Sequence, residues 1–292
     1  MKKFTMAAGI TAAVLIGVGF LLVVAGVLTG AERGVYFDKG GIKVLKSGED
    51  FEYEKYDIDN VKEIDIDISN ARVEFKASQS NKFGINVSLC DNSETPVVNT
   101  DNGKISVSRK AGIQLFRINF DLWDLFSNKT NVITVYIPRN TKFDSVCVDT
   151  SNGAIDIQQD FTTDTLEINT SNGRITVNGV TCSKKAELKT SNGAINCNGK
   201  FNTDTYFKTS NGRVEAQGSY KGRTYIKTSN GAIEFSTSES EKTYDIDADT
   251  SNGSIRLNGI KVDDDYRQRQ TDASNTLEID TSNGSVNMNF GN

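Results

Sequence analysis

Along residues 141–292, apolar and polar positions alternate in a pattern that restarts roughly every twenty residues, a period typical of repeat architectures. Each restart carries Thr-Ser-Asn-Gly, which occurs seven times, with its glycine at Gly153, Gly173, Gly193, Gly212, Gly231, Gly253 and Gly284. Two residues after that glycine stand Ile155, Ile175, Ile195, Val214, Ile233, Ile255 and Val286. Five before it stand Val148, Ile168, Leu188, Phe207, Ile226, Ala248 and Ile279. Apolar residues at every second position mark strands with one buried face. Each unit thus predicts one strand entering the Thr-Ser-Asn-Gly corner and one leaving it. A second corner often carries its own glycine, at Gly179, Gly199, Gly218 or Gly259.

Asn-Gly between alternating strands is also a hairpin signal. Two features favour a coil. The whole unit recurs nearly unchanged, and matching Thr, Ser and Asn residues can stack into hydrogen-bonded ladders between strands about 4.8 Å apart. The expectation is an all-β, single-stranded parallel β-solenoid with coils of about 20 residues, its glycines supplying a left-handed backbone at the corners.

A worn version of the same unit precedes the regular repeats. Ile64, Ile66 and Ile68 lead into Ser69-Asn70-Ala71 and then Val73 and Phe75, and Asp101-Asn102-Gly103 is followed by Ile105 and Val107. Two stretches leave the pattern. Residues 113–127 hold the only tryptophan, Trp123, in an aromatic excursion expected to cover a flank or edge of the solenoid. Lys261 to Asp272 is densely charged and reads as a solvated side loop.

The N-terminus reads differently. From Phe4 to Ala31 no residue is charged, and only Lys2 and Lys3 precede the run. As a helix it would extend roughly 42 Å, longer than the hydrocarbon core of a bilayer and far longer than the apolar stretch of a signal peptide. An uncleaved transmembrane helix is expected, placing the rest of the protein outside the cytoplasm. Arg33, Lys39, Lys43 and Lys46 follow it closely, so positive charge alone does not fix the orientation. Gly9, Ala13 and Gly17, and Gly26 with Gly30, have the spacing that lets two such helices pair, although small residues are common in membrane helices anyway. The expected organisation is a cytoplasmic tip and anchor at 1–31, a juxtamembrane segment at 32–56, degenerate coils with the aromatic insertion at 57–140, and regular repeats at 141–292.

Composition narrows the chemistry. With 33 basic and 38 acidic residues, the protein lacks the basic balance of a nucleic-acid binder. The absence of histidine removes His-based nucleophile pairs, the usual zinc sites and a histidine pH switch. Cys90, Cys147, Cys182 and Cys197 form no Cys-x-x-Cys pair; Cys197 stands at an inward position, and one disulfide stays open. Aspartates cluster at Asp57 and Asp59, Asp65 and Asp67, Asp245 to Asp249, and Asp263 to Asp265, but in neither calcium-loop pattern, so a solvated face explains them better than a metal site. No cofactor is expected.

The most informative surface is the outward face of the entering strand. Six residues before each corner glycine come Cys147, Glu167, Glu187, Tyr206, Tyr225, Asp247 and Glu278; four before it come Asp149, Asn169, Lys189, Lys208, Lys227, Asp249 and Asp280. The middle coils therefore present Tyr206, Tyr225, Lys189, Lys208 and Lys227 between acidic rungs. Lysines on adjacent rungs repel one another unless an anion bridges them. The strip is a candidate site for an anionic envelope polymer, against the plainer reading of a mixed polar surface.

The N-terminal anchor, Glu32-Arg-Gly-Val-Tyr-Phe-Asp-Lys39, Val135-Tyr-Ile-Pro138 and the Thr-Ser-Asn-Gly series together resemble the LiaG-like, membrane-anchored adhesin family of Gram-positive bacteria. The resemblance implies a single-pass cell-membrane protein with an extracytoplasmic β-solenoid and envelope or adhesion functions, and it carries no catalytic residues. Three functions follow in order of preference: a non-catalytic adhesin-like binding or scaffold protein, a structural or regulatory partner in an envelope-stress response, and, least favoured, a carbohydrate-active β-helix enzyme.

Overall fold

The computed structural model describes residues 34–38, 41–45, 50–90, 96–108, 116–119 and 130–291. The expected membrane helix and Trp123 lie outside these residues. The protein forms two compact units. In the smaller, Gly34–Asp38 pairs antiparallel with Gly41–Leu45 on one side and Phe116–Asn119 on the other. Part of the expected juxtamembrane segment and part of the aromatic excursion thus share one three-stranded sheet.

The larger unit is a parallel solenoid whose coils have three sides rather than the two predicted. In one turn, residues 161–163 pair with 141–143, residues 165–170 with 145–150, and residues 175–177 with 155–157, all parallel. The third side escapes the sequence pattern because three residues are too few to show alternation. Its inward residues are nonetheless large: Phe161, Val180, Phe201 and Tyr220 are all buried. Phe201 and Tyr220 stack at 5.2 Å, and Phe143 meets Phe161 edge-on at the same distance.

The repeated tetrapeptide has a physical reason at each position. The threonine is buried: Thr170 Oγ1 donates to Gly153 O at 3.0 Å and accepts from Gly173 N at 3.1 Å, so this hydroxyl is fully paired in the core. The serine carbonyl takes both the next coil's serine and asparagine N–H groups, as Ser151 O does from Ser171 and Asn172. The asparagines form an eight-rung amide ladder, with Asn172 Nδ2 donating to Asn152 Oδ1 at 2.6 Å and Asn192 Nδ2 to Asn172 Oδ1 at 2.7 Å. The glycine is required for space. A Cβ on Gly193 would lie 1.7 Å from Gly173 O, while its φ is not in the left-handed region. This corrects the expectation of a left-handed corner. Left-handed glycines occur at the other bends, such as Gly179 (φ 78°) and Gly218 (φ 131°).

Spatial order departs from chain order near the C-terminus. Asn275–Thr281 pairs with Arg223–Thr228 on one side and Tyr244–Thr250 on the other, all parallel. Val286–Gly291 likewise lies between Ile233–Ser240 and Ile255–Leu257. The last coil is therefore intercalated beneath the coil that precedes it in sequence. The ladder follows this order: Asn283 Nδ2 donates to Asn230 Oδ1 at 2.8 Å, and Asn252 Nδ2 to Asn283 Oδ1 at 3.0 Å.

The connection that permits the intercalation is the charged stretch expected to be a solvated loop. It instead forms Ile260–Val262, antiparallel to Ile255–Leu257, and Asp265–Gln268, antiparallel to Tyr244–Thr250. These strands cover the end of two sides of the solenoid, and their Asp and Arg side chains discourage further edge pairing. At the other end, Ser69-Asn70-Ala71 forms the first rung, with Asn152 Nδ2 donating to Asn70 Oδ1 at 2.5 Å. Asp101-Asn102-Gly103 is not a coil corner. It turns a hairpin between Val97–Asn99 and Lys104–Ser108, with φ of 55° at Asn102 and 73° at Gly103.

Burial pushes Tyr244 and Cys197 up to about 12. Because the folded state holds these protons above the unfolded pKa values, their contribution is complete below about pH 9 and is lost as pH rises toward 12. Thermal unfolding followed from pH 8 to pH 11 should show a falling midpoint, less steep in Cys197→Ala.

Candidate functional site

The entering strands stack with unbroken register through the middle coils: Glu187 opposes Tyr206 and Tyr206 opposes Tyr225, while Lys189, Lys208 and Lys227 stand on three successive rungs. Rung spacing of about 4.8 Å sets the three lysines in a short column along the strand face. The structure thus brings together the five residues singled out from sequence. Their electrostatics differ from residue to residue. Lys189 pairs with Glu187, and Lys227 with Asp280, whose hydrogen bond raises the lysine's pKa. Lys208 is exposed and makes no ion pair among the described residues.

The tyrosines are arranged more closely than alternation alone requires. The rings of Tyr206 and Tyr225 stack at 5.0 Å with 8° between their planes. Lys189 Nζ lies 5.0 Å from the Tyr206 centroid, within cation–π range. Tyr206 is therefore covered on one face by Lys189 from the rung below and on the other by Tyr225 from the rung above. A ligand thus meets the edge and hydroxyl of Tyr206 rather than an open face of that ring. Burial raises the Tyr225 pKa further above neutrality, where a phenol is protonated in any case.

Beside the rings lies a groove of about 370 Å3 rimmed by Lys185, Glu187, Asp204, Arg223 and the two tyrosines. Lys185, Asp204 and Arg223 are not among the residues that alternation singled out. Each nonetheless stands eight residues before a corner glycine, and together they form a third outward column that the same spacing could have revealed. Lys185 bonds Glu167 at 2.6 Å and Arg223 bonds Glu278 at 2.6 Å. Intercalation changes the upper boundary of the strip. Glu278 and Asp280, not Asp247 and Asp249, adjoin Tyr225 and Lys227. Asp247 and Asp249 stand one rung further, where Arg269 reaches Asp247 at 3.3 Å.

A larger concavity of about 630 Å3 runs along the second corner, floored by Gly179, Gly199 and Gly218 and lined by Asp160, Asn198 and Lys200. Its glycines answer to packing: a Cβ on Gly218 would sit 2.0 Å from Gly199 O. The seven corner glycines are likewise architectural, each within 2.0 Å of a neighbouring carbonyl if given a Cβ. Cys182 and Cys197 are buried thiols and Cys147 is half-buried. Among the described residues no group of three or more acidic or cysteine side chains is placed to hold a metal ion.

Comparison with solved structures returns proteins of low sequence identity. A candidate adhesin of Bacteroides fragilis aligns over 82% of this chain and 97% of its own, with 12% identity and a TM-score of 0.47. A candidate cell adhesion protein of Clostridium sporogenes aligns over 83% and 100%, at 12% identity and a TM-score of 0.33. A candidate lipid-binding protein of Parabacteroides distasonis aligns over 82% and 97%, at 14% identity and a TM-score of 0.40. No curated protein matches the sequence. The family model described as Toastrack DUF4097 matches residues 61–258, well over half of the sequence. The chain belongs to the Toastrack DUF4097 family.

Proposed function

We propose that this protein is a non-catalytic binding protein of the bacterial cell envelope, tethered by its N-terminal segment with the solenoid outside the cytoplasm, and that the Tyr206–Tyr225 strip holds an anionic polymer. The anchor, the location and the LiaG-like, Gram-positive assignment rest on the sequence of residues 1–46 and the motifs that carry the resemblance. One observation supports the ligand class above the others: Lys208 stands uncompensated between two lysine rungs while its neighbours on the same column are ion-paired. A polyanion running along the stacking axis would relieve that repulsion and take hydrogen bonds from the tyrosine hydroxyls and Arg223.

The test is equilibrium binding of the full-length protein, in detergent, to poly(glycerol phosphate) and to a neutral glucan. Lys208→Glu is the cleanest variant because no ion pair is broken. It should weaken polyanion binding by about ten-fold or more, a change of roughly 1.4 kcal/mol. Lys227→Glu should weaken it too, but also sets a carboxylate against Asp280. Equal binding by wild type and Lys208→Glu would reject the strip and favour action through protein contacts.

A further inference from the structure

The sequence contains eleven Asn-Gly pairs, a dipeptide prone to spontaneous deamidation, and the fold treats them very unequally. We propose that Asn102 is the deamidation site of this protein, and that the corner ladder keeps the seven Thr-Ser-Asn-Gly asparagines chemically intact. In the reaction, hydroxide removes the proton of the glycine N–H, and that nitrogen attacks Cγ of the preceding asparagine. A new N–C bond closes a succinimide ring, the bond from Cγ to Nδ2 breaks, and ammonia leaves after taking a proton from water. Water then opens the ring at either carbonyl, giving aspartate or isoaspartate.

Attack needs a free glycine nitrogen and an asparagine amide able to swing toward it. The ladder restrains the asparagine amide at all seven corners, and the preceding threonine also holds the glycine nitrogen at four of them. Gly153, Gly173, Gly193 and Gly212 each donate their N–H to the threonine hydroxyl three residues earlier, at 3.1 to 3.3 Å. Each ladder asparagine from Asn152 to Asn283 donates to one neighbouring amide and accepts from another, as Asn192 does between Asn172 and Asn211. Asn252, the last rung, donates to Asn283 but receives no such bond, so it is the least protected of the seven.

The other four pairs grade outward from this. Asn258 is held at both amide atoms, by Phe290 N at 3.0 Å and Glu241 at 2.7 Å. Asn198 lies in a paired strand, and Asn178 donates to Gln158 at 3.1 Å. Asn102 is exposed in the hairpin turn, and no hydrogen bond among the described residues holds its amide or the Gly103 nitrogen. Isoaspartate there would lengthen the turn whose Gly103 carbonyl accepts from Lys62 N and Glu63 N at 2.7 and 3.1 Å. The protein would thus carry an age mark next to its first coil.

The test is peptide mapping by mass spectrometry of the full-length protein aged in mildly alkaline buffer, folded and in urea. Folded, conversion at Asn102 should outrun every corner asparagine by roughly ten-fold or more, as the loss of even two weak restraints would imply. In urea the eleven sites should converge. Equal folded rates at Asn102 and Asn192 would overturn the proposal. Thr190→Val keeps the side-chain shape but removes the acceptor for Gly193 N–H, and should raise conversion at Asn192 while leaving Asn152 slow. Thermal unfolding establishes that this variant is folded; an unchanged Asn192 rate in it would overturn the threonine lock.

Discussion

Gly193→Ala is expected to cost about 3 kcal/mol of stability or more, at the upper end for adding a single methyl group to a packed interior. The methyl carbon would lie 1.7 Å from Gly173 O and 2.5 Å from Gly173 C. Neither atom can move alone. The neighbouring Ser171 O accepts from Ser191 N and Asn192 N at 3.0 and 2.9 Å, and Gly173 O itself accepts from Thr190 Oγ1 at 3.1 Å. The two coils would have to separate and break the ladder locally. Gly259→Ala is the informative comparison. Gly259 has φ of 82° but nothing within 4 Å of an added Cβ, so only the backbone penalty applies, about 1 kcal/mol. Urea denaturation of both variants should rank Gly193→Ala as the more damaging, although only Gly259 is left-handed.

Removal of residues 274–292 should destabilise the molecule far more than trimming the last coil of an ordinary solenoid. The missing coil is interior. It buries Leu277, Ile279, Val286 and Met288, at about 1.5–3 kcal/mol each, or about 6–12 kcal/mol in all, comparable with the whole stability of many domains. Its removal also breaks the amide ladder at Asn283 and strips Lys227 and Arg223 of Asp280 and Glu278. Nearest-neighbour coupling along a stack predicts a localised result. In hydrogen exchange, residues 244–257 should lose protection while residues 161–200 keep theirs. Retained protection over 244–257 would contradict the intercalated order.

That order was not legible in the sequence, for a physical reason. Every coil carries the same inward alternation and the same corner, so any two coils present compatible registers and nothing in the pattern ranks their neighbours. The 31-residue spacing between Gly253 and Gly284 reports only that the connection is long. The corner residues were legible because each of Thr, Ser, Asn and Gly answers a separate steric or hydrogen-bonding demand that recurs at every rung. The reason assigned to the glycine was not, since crowding by a carbonyl from another coil is invisible in local dihedral preference. Asp101-Asn102-Gly103 imitated a corner because Asn-Gly serves hairpins and coils alike. Only its antiparallel partner, Val97–Asn99, distinguishes them. On the outward face, Tyr206, Tyr225 and the three lysines could be aligned from spacing alone. The covering of Tyr206 by Lys189 and the ion pairs that leave Lys208 exposed depend on side-chain reach across rungs, which spacing does not encode.

Binding of poly(glycerol phosphate) to the full-length protein across a salt series, alongside Lys208→Ala, tests the central claim most directly. Each cation engaged with a polyanion releases counterions, so log affinity should fall linearly with log salt, and loss of one contact should reduce that slope by about one. The expected result is saturable, salt-weakened binding whose slope is shallower by about that amount in Lys208→Ala. Binding that ignores salt, or an identical slope in the variant, would contradict the assignment of the Tyr206–Tyr225 strip as a polyanion site.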